Sequence, residues 1–233
     1  GTGTVWSYNA GLDWAPIEDV RFRGNYSRAV RAPNVSETAF PLVPNFAPGF
    51  TDPCDPGRIN TSANRNANCT ADLGALLAGF SDTTYSLPIV SGSNPNLEAE
   101  KSDSWTYGVV IQPRFVPGLN LSVDYYDIKV KGIIASLTAQ QIVNSCYAAA
   151  DLNNVFCQQF TRFRGPGTGP NGELAGRVLG NSLVAAPLNY ASRERKGIDV
   201  NVAYRTNLGN DLAFNTNLIY THNLKISNFQ DPT

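Results

Sequence analysis

The chain has 233 residues, and its 18 Lys and Arg against 19 Asp and Glu leave a net charge of −1, with charged residues only 16% of the total. That balance gives no case for a nucleic-acid partner, which would need a concentrated basic face, and the charge content lies below the about 25% of an ordinary soluble domain. No apolar run approaches the ~20 residues of a transmembrane helix, which excludes a helical membrane protein but not a membrane barrel, whose strands alternate.

Six segments carry the period-two alternation of strands with unlike faces. Near residues 3–15, Trp6, Tyr8, Ala10, Leu12 and Trp14 alternate with small or polar residues. Near 19–29, Val20, Phe22, Gly24 and Tyr26 alternate with Arg21, Arg23, Asn25 and Ser27. Near 101–113 the apolar set is Trp105, Tyr107, Val109 and Ile111. Near 118–131 it begins as Leu119, Leu121, Val123 and Tyr125, then slips to Tyr126, Ile128 and Val130, as a bulge or emergence from an apolar layer would produce. The last two segments, near 190–206 and 211–226, run through Ile198, Val200, Val202 and Tyr204, then Leu212, Phe214, Leu218 and Tyr220.

The connections alternate in length. Ala15–Asp19, Pro113–Gly118 and Asn207–Asp211 are short and rich in turn formers, whereas 30–100 and 132–189 are long excursions. Antiparallel strands joined this way place every short turn at one end and every long loop at the other. Compact soluble domains seldom carry loops of that length; outer-membrane barrels do. Within the second excursion, Thr138 followed by Gln141 has capping-box spacing, which predicts a short helix with Ile142, Cys146 and Ala149 on one face.

Alternation alone leaves a soluble sandwich and a wide barrel both open. Three features favour the barrel: polar faces of Asn, Ser, Thr and Gly, aromatic residues near strand ends, and the asymmetry of connection lengths. The reading is an all-β, antiparallel up-and-down transmembrane β-barrel segment of about six strands, with 1–233 as one partial barrel domain. Met is absent even at position 1 and the chain starts mid-pattern, as an excised or processed piece would.

An ordered set of motifs resembles the barrel of TonB-dependent outer-membrane receptors. Arg28–Glu37 (RAVRAPNVSE) is similar to a strand-end pattern of that family through Arg31, Ala32, Pro33, Asn34 and Glu37. Asn94–Gly108 is similar to its next element through Asn94, Pro95, Asn96, Leu97, Glu100, Lys101, Ser102, Trp105 and Gly108, with Ala99 where Pro is usual. Leu119–Ile128 (LNLSVDYYDI), Cys146 to Cys157 with Arg162, and Lys196–Val200 resemble later elements in the same order.

The resemblance implies a barrel of about 22 strands around an N-terminal plug, in the outer membrane of a Gram-negative bacterium. It implies lipid outside, a TonB complex engaged through the region ahead of the barrel, and active uptake of an extracellular small ligand or glycan: a ferric siderophore, haem, cobalamin or a glycan. The alternatives are a passive porin or structural barrel, and a soluble secreted β-rich domain.

No plug, TonB box or closing strand is recognisable, and the sequence closes on Gln230–Thr233. Cys54 with Cys69 and Cys146 with Cys157 read as local disulfides in extracellular loops, since an oxidising compartment favours them and no C-x-x-C is present. Arg21, Arg23, Asn25 and Arg205 are expected to face the lumen, against a plug or water. Glu98, Glu100, Lys101 and Asp103 are expected to tie the loop base to Arg28 and Arg31.

Neither a metal site nor a cofactor is expected. Asp52–Arg58 lacks the ligand spacing of a calcium loop, and Gly165–Gly169 lacks the helix and Lys-Ser/Thr of a phosphate loop. The single His222, at the outward phase of its strand, gives a nucleophilic triad little material, so no catalytic residue is assigned.

Overall fold

The computed structural model describes residues 3–80, 84–209 and 212–229. Its frame is one antiparallel sheet of six strands: β1 (Tyr8–Ile17), β2 (Val20–Arg31), β5 (Glu100–Ile111), β6 (Leu119–Ala135), β8 (Leu188–Gly209) and β9 (Leu212–Phe229), in the order β1-β2-β5-β6-β8-β9. Each strand pairs with its sequence neighbour in the frame, which is an up-and-down meander, and the sheet is open at β1 and β9.

β2, β6, β8 and β9 outrun their expected ends, whereas β5 stops at Ile111, two residues short. β1 starts at Tyr8, leaving Trp6 ahead of it, and continues through a register shift to Ile17, so the first turn shrinks to Glu18 and Asp19. The second short turn works because Gly118 has φ +84°, where a Cβ would overlap the Arg205 carbonyl. Asn210 and Asp211 of the third, and Gln230–Thr233, lie outside the described residues. The phase slip in β6 is not a bulge. Pairing to β5 and β8 runs unbroken through Tyr125 and Tyr126, and the irregularity comes later, between Val130 and Ile133, where Gly132 has φ +64°. The sheet passes from one chemical zone to another at Tyr126 without losing register.

A packed core is absent between layers of this sheet. Trp105 and Phe214 are 44% and 46% exposed, Leu12 is 73% and Leu218 is 64% exposed. They share one face with Val109, Leu121 and Val200, and no second sheet covers that face among the described residues. The soluble-sandwich alternative required those side chains to be buried together.

The buried core lies in the two excursions, which are not structureless. The first contains α1 (Val35–Thr38), β3 (Val43–Phe50), α2 (Ala63–Leu73) and β4 (Tyr85–Ser91); the second contains α3 (Ala139–Ala148) and β7 (Val184–Ala185). Thr138 and Gln141 cap α3 reciprocally, and Ile142, Cys146 and Ala149 are each buried, the first two in one cluster. β7 extends the β3–β4 hairpin by parallel pairing of Val90 with Val184 and Ser91 with Ala185, so the two excursions share a sheet. Phe50, Leu73, Leu87, Ile142, Tyr147, Phe156 and Leu183 make one core from both, a cap at the long-loop end of the frame.

Candidate functional site

On the polar face of the frame, long side chains reach across glycines. Register places Arg23, Gly108 and Asp124 in one row on β2, β5 and β6. Arg23 spans the middle strand to meet Asp124 with Nε···Oδ1 2.8 Å and Nη2···Oδ2 2.5 Å. A Cβ on Gly108 would overlap both partners, which explains a glycine in mid-strand despite its entropic cost. Tyr126, Gly197 and Asn223 repeat the device on β6, β8 and β9, the Tyr126 hydroxyl donating to Asn223 Oδ1 at 3.1 Å over the bare Gly197. Asn25 lies similarly against Gly11. Arg21 faces Asp13 at 3.5 Å, an exposed pair worth little. Arg205 sits at the short-turn end, where its backbone N–H donates to Gly118 O at 3.0 Å.

The motif residues meet where strands become cap. Asn34 caps α1 in a reciprocal box with Glu37, and Arg31 bridges Glu37 at 3.3 Å and Glu100 at 2.6 Å. Glu100 also accepts the Ile134 N–H at 2.8 Å. The Asn94 N–H donates to Glu37 O at 2.8 Å, its side chain accepts from the Asn96 N–H at 2.9 Å, and its amide donates to Pro187 O at 3.0 Å. Leu97 and Ala99 are buried beneath this knot. Pro33 precedes the Asn34 cap, Pro95 lies in the turn with Asn96, and Ala32 and Ser102 are the small residues beside Arg31 and Lys101. Of the expected loop-base acids, Asp103 lies 3.7 Å from Arg28, whereas Glu98 contributes through its backbone to the Asn189 amide. The knot fixes where each excursion leaves the sheet.

In the cap, Cys54 bonds Cys69 and Cys146 bonds Cys157. Between them lies an arrangement that the sequence did not disclose. Arg162 of the second excursion, its side chain 1% exposed, enters the first and grips the Asp52 side chain, 0% exposed, through Nη1···Oδ2 2.7 Å and Nη2···Oδ1 3.0 Å. Its remaining donors go to Gly176 O at 2.6 Å, the Tyr147 hydroxyl at 2.6 Å and Cys54 Sγ at 3.7 Å, and Tyr147 in turn donates to Asp72. Arg164 holds Asp72 from the solvent side.

Burial pulls the Arg162 guanidinium toward neutrality, but the Asp52 charge, Tyr147 and the hydrogen bonds to both together outweigh it and hold the group above its ordinary pKa. Burial pushes the Tyr147 hydroxyl up, against the pull of Arg162. Asp52, which carried the faint likeness to a calcium loop, is occupied by Arg162 and the Cys54 N–H. The signal available in sequence was the Asp-Pro-Cys run and an Arg five residues after Cys157; nothing linked the two.

Among the described residues no three His, Cys, Asp or Glu side chains are grouped to hold a metal. His222 stacks on Tyr220 on the apolar face, centroids 6.3 Å apart. The described residues therefore carry a polar sheet face crossed by long side chains, an opposite apolar face, and a cap stapled by two disulfides.

The likenesses to solved structures agree with this geometry. The siderophore receptor PirA from Acinetobacter baumannii superposes with a TM-score of 0.53 at 15% identity, over 97% of this chain and 24% of the receptor. A mutant of the ferric enterobactin receptor PfeA from Pseudomonas aeruginosa gives 0.52 at 18% identity, over 94% and 22%. At such identities the likeness is one of fold. The chain spans under a quarter of either receptor, and no curated protein sequence matches it. The family model for the TonB dependent receptor-like β-barrel covers residues 1–232, and the chain belongs to that family.

Proposed function

We propose that the chain is about six strands of a larger, plugged outer-membrane barrel that takes up a scarce extracellular ligand by active transport. The observation that carries this reading is the shape of the apolar band on the outer face. On β1 the band runs from Tyr8 to Trp14 and on β2 from Tyr26 to Val20. On β5 it runs from Trp105 to Ile111, on β6 from Tyr125 to Leu119, on β8 from Ile198 to Tyr204, and on β9 from Tyr220 to Phe214. Traced through the register, Tyr220 is level with Trp14, not with Tyr8. Both borders of the band therefore descend by the same amount from β1 to β9.

A descent of six residues over five strand spacings is about 20 Å against about 24 Å, a tilt of roughly 40° between strands and band normal. Barrel strands cross a bilayer at about 35–45°. A slab of hydrocarbon lying obliquely across the strands accounts for both borders; a protein core would not need straight ones.

With lipid outside, the wall bearing Arg21, Arg23, Asn25 and Arg205 lines the lumen and meets the plug. The region ahead of the barrel engages TonB, whose pull frees the ligand inward. The cap lies on the extracellular side, where its disulfides suit the compartment, and shares ligand capture with the remaining loops. Ferric siderophores, haem, cobalamin and glycans are the family's ligand classes. The test is uptake of a labelled panel of these by cells producing the full-length receptor, with and without functional TonB. Failure to take up any of them in a TonB-dependent way would refute the proposal.

A further inference from the structure

We propose that the outer face carries a binding site for the phosphate headgroup of a membrane lipid, centred on Lys101 and Lys131 just beyond the apolar band. The inference rests on the reading that this face meets lipid. Register sets Lys101 of β5 directly opposite Lys131 of β6, on the same face as Trp105 and Asp127. Like charges directly opposed on neighbouring strands are destabilising, yet both side chains are exposed and, among the described residues, neither is within ion-pair distance of a carboxylate. The next position along the row on β2 is Val30, which offers nothing.

The second opposed pair on this face, Lys196 with Lys225, differs in this respect. Asp127 lies 2.9 Å from Lys196, and Glu194 lies 3.2 Å from Lys196 and 2.5 Å from Lys225. The fold thus supplies its own counter-charge at one lysine pair and leaves the other open. With Arg28 and Lys129, six cations stand on this border against the three carboxylates Asp103, Asp127 and Glu194, an excess of +3 in a chain whose net charge is −1.

Location selects the anion. Immediately inward of the lysines, a recess of about 320 Å³ is walled by Tyr26, Arg28, Asp103, Trp105, Asp127 and Lys129, and its floor is the Tyr26–Trp105 ring pair with centroids 4.4 Å apart. Below that begins the apolar band. A ligand with a phosphate at the lysines, a polar linker over the rings and acyl chains along Tyr107 and Val109 matches each layer in turn; a free phosphate would use only the first. Basic side chains at a membrane border attract anionic lipid in this way.

The test uses the full-length receptor in phosphatidylcholine nanodiscs doped with dioleoyl phosphatidic acid or dioleoylglycerol, with lipid retention read by native mass spectrometry. Wild type should retain phosphatidic acid at least about tenfold over the diacylglycerol, K101A/K131A should lose the preference to within about twofold, and K101R/K131R should keep it. Equal retention by wild type and K101A/K131A would overturn the site, as would displacement of the lipid by millimolar inorganic phosphate. A nitroxide at V109C separates the two levels of the argument. Broadening by bilayer-dissolved oxygen with no lysine-dependent retention rejects the headgroup site alone, whereas broadening only by an aqueous nickel complex rejects the lipid-facing reading and the site with it.

Discussion

Replacing Asp52 by Ala should uncouple the two excursions of the cap. The perturbation removes the fully buried carboxylate that faces Arg162, and with it two guanidinium hydrogen bonds and the acceptor of the Cys54 N–H. Breaking a buried pair by deleting one partner costs about 3–5 kcal/mol, because the remaining charge stays desolvated. Here Asp72 Oδ2 lies 3.2 Å from Arg162 Nε and is 21% exposed, so part of the charge stays compensated and the low end, about 3 kcal/mol, is the expectation.

Hydrogen exchange read by mass spectrometry on the full-length receptor would follow amides that open only with the cap, such as those of α3. Their exchange should quicken by about 150-fold, the equivalent of that free energy. The double variant D52A/R162M, with no buried charge left, should recover most of the protection, since apolar replacement of a buried pair is often neutral. A change below about fivefold in D52A would refute the reasoning, as would a double variant as unprotected as the single one.

On the frame, V123R places a charge on the outer face at mid-band and should cost about 2–4 kcal/mol in refolding into vesicles, while S122R, one residue away and facing inward, should cost far less; equal costs would contradict the assigned faces. G108V should lower the thermal unfolding midpoint through an overpacking cost of about 1–3 kcal/mol as Arg23 and Asp124 are driven apart, and an unchanged midpoint would mean that the bridge does not pass over that glycine. C54S/C69S should destabilise the cap by about 3 kcal/mol for a loop closed over 15 residues, measured by the same exchange experiment.

Burial pushes the Glu173 carboxyl up, but hydrogen bonds from the Asn171 side chain, the Asn171 N–H and the Gly180 N–H outweigh it and hold the group below the usual carboxylate range. A depressed folded-state value means the contribution to cap stability is present above the unfolded-state pKa and is lost as pH falls through the folded one. Cap opening should therefore rise at acid pH in the wild type, with that acid-dependent part missing in E173Q; identical pH profiles would count against it.

The frame was legible because each of its strands presents one apolar and one polar face, set one residue at a time. Trp105, Tyr107, Val109 and Ile111 alternate with Ser104, Thr106 and Gly108 for the same reason wherever the strand pairs, so local pattern and final placement agree. What alternation could not reveal was depth. Tyr126, Ile128 and Val130 looked like a slipped register, yet they keep their places in it and differ only in lying past the band's border, where the outward positions have become Asp127, Lys129 and Lys131. The same tilt that moves the border from Tyr8 on β1 to Tyr220 on β9 makes any one strand, read alone, appear to change phase.

The cap was opaque for a different reason. Its core joins segments about a hundred residues apart, as Asp52 does with Arg162 and Val90 with Val184, and neither excursion has a periodic face long enough to announce a partner. Only the local devices there had a readable form: the Thr138–Gln141 box and the two short cysteine spacings. An insertion that must fold against another insertion is specified by pairings that become visible only once the barrel strands have brought their roots together. The Arg31–Glu37–Glu100 knot sits at that root. Its motif residues thereby set the exit angles from which the two excursions can find each other.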